Sequence, residues 1–472
     1  MLGEYKGISV RVLVKVRNMT AGSPLKHILG IAMPLMLGNI CQQLYTVVDA
    51  SIVGKGIGVE ALAALGASDW FHWLFLGIVQ GFAQGFAIPM AQAFGAEDHG
   101  ELRRYLGSSI LLAAASAAFV TGVALLSIRP VLELLSTPMD IRPMTISYLT
   151  VLFSGIPMVM AYNLMASLLR ALGDGRTPLF AILMAACINI GLDILFVIGL
   201  GWGVASAAAA TLIAQGCSSF FCLARLKRIS FLRLSKEDMK PEAARCRRMM
   251  GIGLPISLQN TVIAVGGMIL QRFANPMGVS FIAGYTATNK LYGLLEVASL
   301  SYGYAMSTYV GQNLGARKIQ RIRHGVRTGA ILGVLTSLAI ALCMILFGRN
   351  IVSLFIDLKA PGAEEAVRIA CEYLTIMASF LPILYLLFNY RSSLQGMGHT
   401  FIPMLSGVAE FIMRVGTVLW LTRWLDYRAL FWAEVFCWAG AVAILYPGYL
   451  NVMRRMWYNP GEAPEESARN ET

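Results

Sequence analysis

Gln312-Asn313-Leu314-Gly315-Ala316 repeats Gln92-Ala93-Phe94-Gly95-Ala96 at a distance of 220 residues, and each copy stands where an apolar run gives way to basic residues. Two further blocks keep nearly the same spacing. Pro34 and Asn39 match Pro255 and Asn260 at 221, and Pro157, Leu169, Gly173 and Pro178 match Pro382, Leu394, Gly398 and Pro403 at 225. Three separated matches at a near-constant offset mark an internal duplication. The chain is two related halves, and the apolar runs between the repeats decide what each half is.

Of 472 residues, 57% are hydrophobic and only 14% charged, with a mean hydropathy of +0.65. A chain this apolar has too few polar residues to cover a water-facing surface. A hydrocarbon core about 30 Å thick takes roughly 20 apolar residues per helix. Twelve such runs are found, near 25–53, 66–93, 107–128, 143–169, 178–200, 203–224, 249–274, 281–313, 328–347, 370–394, 401–423 and 429–448. Each half therefore holds six spans. An even number gives both halves the same orientation, related by an axis along the membrane normal with a cavity between them. The predicted fold is an all-α polytopic membrane protein of twelve transmembrane helices in two pseudo-symmetric six-helix lobes around a central cavity. Its parts are a tail (1–24), a first lobe (25–224), a basic linker (225–248), a second lobe (249–450) and a second tail (451–472).

The net charge is +12, but the position of the basic residues points away from nucleic acid. By count, 26 of 38 Lys and Arg lie in the alternate loops and tails that a cytoplasmic N-terminus places inside, nine lie in the opposite loops, and Lys290, Arg391 and Arg414 fall within spans. This bias predicts a multi-pass protein of the cell membrane with both termini cytoplasmic. The linker carries nine of these cations, suited to solvation and to anionic lipid headgroups. Eight cysteines without CxxC spacing indicate neither a disulfide framework nor a zinc site. The first 26 residues are too interrupted by charge for a signal peptide. Met19, just ahead of Thr20-Ala21-Gly22-Ser23-Pro24, is a candidate start alongside Met1.

A carboxylate in hydrocarbon costs at least a few kcal/mol, so it marks an ion path, a proton site or a paired structural charge. Asp49 on the first span and Asp193 on the fifth both lie in the outer part of outward-running helices and can share a depth. Asn189 precedes Asp193 by four and shares its helix face, and Thr211 on the returning sixth span reaches a similar level. Two carboxylates, an amide and a hydroxyl make a hard-oxygen site for a proton or Na⁺; the structural alternative is that each Asp caps a helix. The second half has Leu270 or Ile269 in place of Asp49, Arg414 in place of Asn189 and Val418 in place of Asp193. Glu410 and Arg414, four apart on one span, are predicted to pair with each other. Glu296 and Lys290 either line the cavity or lie near an aqueous vestibule. Gln43 and Tyr45 are, with Glu296, candidates to line a substrate cavity. No phosphate loop, HExxH or GxSxG motif is present, so no enzyme activity or cofactor is expected.

These features resemble the multidrug and toxic compound extrusion (MATE) exporters over residues 20 to 450. The resemblance rests on Gly38-Asn39-Ile40-Cys41-Gln42-Gln43-Leu44-Tyr45 and Val48-Asp49-Ala50-Ser51-Ile52-Val53-Gly54. It rests also on the repeated Gln-to-Ala blocks and on Leu169-Arg170-Ala171-Leu172-Gly173-Asp174-Gly175-Arg176-Thr177-Pro178. It implies an antiporter driven by inward Na⁺ or H⁺ that exports amphiphilic cations. The acids of the first lobe resemble the DinF-like branch, which implies coupling roles for Asp49, Asn189, Asp193 and Thr211 and adds Asn163 on the fourth helix. The same resemblance implies a monomer in the bilayer. The rival readings are a lipid-linked saccharide flippase of related fold, which calls for extra spans and a cationic cavity, and a receptor or scaffold, which needs no paired carboxylates.

Overall fold

The computed structural model describes residues 16–135, 137–274, 277–353 and 362–458. The first fifteen residues and 459–472, which make up most of both expected tails, lie outside the described residues, as does Met1. Within them the chain is helical, without a strand. The helices of the first lobe are α1 (Pro24–Gly56), α2 (Val59–Gly95), α3 (His99–Leu134), α4 (Arg142–Ser154), α5 (Ile156–Ala171), α6 (Arg176–Asp193) and α7 (Ala205–Leu226). Those of the second are α8 (Ala243–Ala274), α9 (Val279–Gly315), α10 (Ile319–Val352), α11 (Ala363–Gly396), α12 (Phe401–Leu425) and α13 (Arg428–Tyr458). Several run well past the predicted spans, because a helix need not stop at the hydrocarbon boundary.

Ten helices are long and apolar enough to cross a membrane, and an eleventh span forms if α4 and α5, bent by 46°, are taken together. The twelfth, α9, has the length at 37 residues but carries Lys290, Glu296 and many hydroxyls. It is a polar helix shielded by its neighbours, which composition alone undercounts. The duplication is visible in the helices themselves: α2 and α9 both have 37 residues, and their starts are 220 apart.

Proline does not bend these helices uniformly. Pro34, Pro255 and Pro382 lie inside continuous helices, whereas the twin of Pro382, Pro157, sits at the break between α4 and α5. Gly155 makes the difference. Its missing Cβ leaves room for the Leu212 side chain of α7, so α7 packs on the chain at the point where Pro157 already lacks a backbone donor.

Large apolar side chains cover the outside of the bundle: Phe119 and Leu126 on α3 are 71% and 82% exposed, and Leu335, Leu342 and Leu346 stand out from α10. Such a surface is stable only against lipid. Both helices are also outer helices by pseudo-symmetry, since their starts are again 220 apart.

The lobes meet along two seams, α2 against α8 and α1 against α9, and where α2 crosses α9. On the first, Gly77, Gly81 and Gly85, one per turn, face Asn260, Ser257 and Gly253. The backbones come close enough for Ser257 Oγ to donate to Ile78 O (3.0 Å) and Asn260 Nδ2 to Gly77 O (2.8 Å). In lipid, where apolar surface drives no helix association, small residues and cross-helix hydrogen bonds take over. A Cβ on Gly81 would stand 2.6 Å from the Ser257 backbone, so Gly81→Val is expected to lower stability by about 1–3 kcal/mol or more. Gly122→Val, on a part of α3 with nothing within 4 Å of the added carbon, is the control. Thermal unfolding in detergent compares them; equal midpoints would show that the seam tolerates separation.

The cores are exchanged at one end. Met19, Ile28, Ile31, Ala32 and Leu35, at and before the start of α1, belong to the core of the second lobe, while Met249, near the start of α8, belongs to that of the first. Trp457 near the end of α13 and the Arg317–Arg321 loop lie at this same end, referred to below as the basic end.

Candidate functional site

Inside the first lobe, α1 runs beside α6, and α6 packs on α7. These contacts bring together four residues that are far apart in sequence. Asp49 comes from α1, Asn189 and Asp193 from the last two turns of α6, and Thr211 from α7. Just beyond Asp193 the helix widens into a π-helical turn, Ile194–Gly199, a form common at functional sites. The Asp49 and Asp193 carboxyl groups lie close enough to act on one another electrostatically. Asn189 Nδ2 donates to Thr211 Oγ1 at 3.3 Å, and that hydroxyl in turn donates to Ala207 O at 3.1 Å.

The site has acceptors without donors. Asp193 is fully buried and Asn189 is 2% exposed. Asp49 Oδ1, both carboxylate oxygens of Asp193 and Asn189 Oδ1 are buried with no hydrogen-bond partner. A buried polar atom left unpaired costs about 1–3 kcal/mol, more when charged, and two facing carboxylates repel. A proton shared between them, or a small cation among the four oxygens, removes both costs. The donor set fits Na⁺ or H⁺; among the described residues no three His, Cys, Asp or Glu cluster as a transition metal requires.

Asn163 is placed differently. It is half-buried on α5 and its Nδ2 donates to Val159 O of its own helix at 2.8 Å, with no hydrogen bond to the other four. Tyr45, one turn before Asp49 on α1, lies within electrostatic range of both carboxylates. Gln43 points across the lobe seam, its amide 3.3 Å from where a Cβ of Gly293 would stand on α9. Asn39 crosses the same seam, donating to Ser301 Oγ at 3.3 Å.

The predicted pairing of Glu410 with Arg414 is not formed. Glu410 is held by Arg391 of α11, which also donates to Ser406 Oγ at 3.3 Å. Arg414 donates to Glu434 Oε2 of α13 at 2.8 Å and to Ile263 O of α8 at 3.4 Å. Spacing puts the two on one helix face, but each side chain extends away from its own helix to a neighbour with a better-placed counter-charge. Glu296 on α9 faces this charged group, on the opposite lobe from the two aspartates.

Three residues escaped the sequence reading. Glu434 lies in the last span, and its carboxylate in an apolar run was the available signal. Asp69 on α2 is exposed and within electrostatic range of Lys290 in the other lobe; a carboxylate three residues inside the predicted span 66–93 was the available signal. Tyr148 on α4 lies in range of Asp49, Asp69, Asp193 and Tyr45, and nothing in its sequence context marks it.

A family model described as MatE matches residues 34–195 and 255–419, one stretch in each lobe. The probable multidrug resistance protein YpnP of Bacillus subtilis is 27% identical over 419 residues, covering 88% of this chain and 93% of that protein. The probable multidrug resistance protein NorM of Thermotoga maritima is 24% identical over 392 residues, covering 80% and 82%. A solved outward-facing multidrug resistance MATE family transporter superposes with a TM-score of 0.86 at 22% identity, over 94% of this chain and 99% of that one, which shows the shared fold. With both lobes matched in order by one family model, the chain belongs to the MatE family of membrane transporters.

Proposed function

We propose that the chain is a cation-coupled antiporter that exports amphiphilic, cationic small molecules from the cytoplasm, with its coupling site in the first lobe. The observation that carries this reading is the set of four buried acceptor oxygens on Asp49, Asn189 and Asp193 that have no donor. The DinF-like assignment rests on the same residues. In this reading the basic end is cytoplasmic, in line with the excess of Lys and Arg there, and no nucleotide site offers another energy source.

The residues act as follows. Na⁺ or H⁺ entering from outside neutralises Asp49 and Asp193 and draws α1, α6 and α7 together, with Asn189 and Thr211 completing the oxygen shell. The ion binds this arrangement more tightly than the open one, and only such a difference moves the conformational equilibrium. Tyr45 lies on the Asp49 side of α1 and Gln43 on its face toward α9, so tightening α1 alters both, and ion binding and substrate release compete through one helix. Glu296, on the far wall, attracts a cationic substrate.

Reconstituted protein loaded with a fluorescent organic cation tests the reading, with Na⁺ and pH gradients imposed separately. Efflux is expected under at least one inward gradient and none without. Release at equal rates with and without both gradients would exclude coupling, and movement of a saccharide-bearing lipid in place of the cation would favour a flippase.

A further inference from the structure

At the basic end the lobes are joined by hydrogen bonds that repeat under the pseudo-twofold axis. Gln92 of the first lobe donates from Nε2 to Gly396 O of the second at 3.1 Å, and Gln312 of the second donates to Ala171 O of the first at 2.8 Å. A Cβ on Gly95 would collide with the Gln312 backbone and one on Gly315 with the Gln92 backbone, so glycine is needed for so close a crossing. The remaining oxygen of each amide is also taken. Arg248 Nη2 donates to Gln92 Oε1 at 2.9 Å, and the backbone N–H of Met19 donates to Gln312 Oε1 at 2.8 Å.

Here the symmetry fails. Arg248 is part of α8, whereas Met19 belongs to a non-helical segment ahead of α1. Its first two residues hold the first lobe: Arg17 N–H donates to Leu172 O at 3.0 Å, and Asn18 Nδ2 to Glu97 Oε1 at 3.3 Å. Of the next four, Met19, Thr20 and Gly22 hold the second lobe, while Ala21 O pairs with His27 of α1. Met19 O accepts from Arg321 Nη2 (2.9 Å) and Asn313 Nδ2 (3.3 Å), Thr20 O from Lys318 Nζ (2.9 Å) and Gly22 O from Arg321 Nη1 (3.0 Å). The Met19 side chain is fully buried. Three cationic donor contacts on backbone carbonyls, together with a buried thioether, are far more than a solvated tail requires.

We propose that Arg17–Gly22 is a bolt that holds the basic ends of the two lobes together and must leave Gln312 and Arg321 before that end can open. A segment gripping both lobes contributes its hydrogen bonds only while they are adjacent, so it biases the equilibrium toward the closed basic end and sets how often the chain opens there. The place of this step in a transport cycle rests on the alternating-access reading; the bolt itself can be measured without substrate.

Spin labels at Arg104→Cys and His324→Cys, exposed positions 220 residues apart on the second turns of α3 and α10, report the separation by pulsed electron resonance. The full chain, with its eight native cysteines replaced, is the reference. Arg321→Ala, which removes two donors to the bolt, is expected to raise the ratio of separated to joined basic ends about tenfold, as loss of a charge-assisted hydrogen bond implies. Arg321→Lys should fall between, and a chain starting at Ser23 should shift further. A cleavable dithiol crosslink between Thr20→Cys and Lys318→Cys should keep the ends joined and stop efflux until it is reduced. An unchanged distance distribution in the chain starting at Ser23, or full-rate efflux from the crosslinked protein, would overturn the proposal. If the uncrosslinked protein carries no flux at all, the transport reading fails while the distance measurement still decides the bolt.

Discussion

Asp49→Asn is expected to abolish gradient-driven efflux in proteoliposomes while leaving the protein folded and able to bind substrate. The side chain keeps its shape but loses its charge, and with it the ability to take up a proton. Losing one charged ligand weakens a bound cation by about 1.5–3 kcal/mol, roughly ten- to a hundredfold or more in affinity. That is enough to leave the site empty at an ion concentration that normally fills it. Asp193→Asn should abolish efflux as well and weaken ion affinity further, because both of its carboxylate oxygens are buried without donors, against one for Asp49. Stability should move the other way. Removing one of two facing carboxylates relieves repulsion, so either variant should melt no lower than the parent in ion-free buffer, and should gain less than the parent from added Na⁺. Continued export against a gradient by the Asp49→Asn protein would show that coupling lies elsewhere.

The second large effect is expected at Arg414. This residue aligns with Asn189 of the first lobe and donates to Glu434, itself 8% exposed. Arg414→Met leaves Glu434 buried without its counter-charge, for which about 3–5 kcal/mol of destabilisation is expected. Joint replacement by Arg414→Met and Glu434→Gln should recover most of it, since the pair as a whole gains little over a neutral filling. Thermal unfolding of the four proteins in detergent reads the cycle. If the double variant is as unstable as Arg414→Met alone, the cost comes from lost packing and not from the stranded charge. Where the first lobe holds unpaired oxygens at Asn189, the second carries at the equivalent position a guanidinium fixed to its own chain.

Much of this arrangement was legible in the sequence because it depends on short-range patterns. Apolar runs bounded by charge locate spans, and a constant offset exposes the duplication. Two Asp residues in the outer parts of helices that run the same way can share a depth, and the structure brings Asp49 and Asp193 close to one another. What was not legible depends on partners distant in sequence. Glu410 and Arg414 share a helix face, yet Arg391 and Glu434 compete for them from neighbouring helices, and no spacing rule ranks those rivals. Gln92 and Gln312 stood out as a repeat, but a repeat does not show that each glutamine reaches into the opposite lobe. Residues 17–22 read as tail because they are short and polar; their hydrogen bonds come from Gln312, Asn313, Lys318 and Arg321, and only Met19 and Thr20 of the six are buried.

The exchanged ends of the two cores also bear on how the chain is made. Met19 is bound by a residue 293 positions later, and at about 5–20 residues per second a ribosome delivers that partner roughly 15–60 s after Met19. Throughout that interval the start of α1, with Ile28, Ile31 and Leu35, has no core of its own to enter. The first lobe must therefore wait in the bilayer with one helix unfinished, open to a chaperone or to a neighbouring copy, until synthesis of the second lobe supplies the surface that completes it.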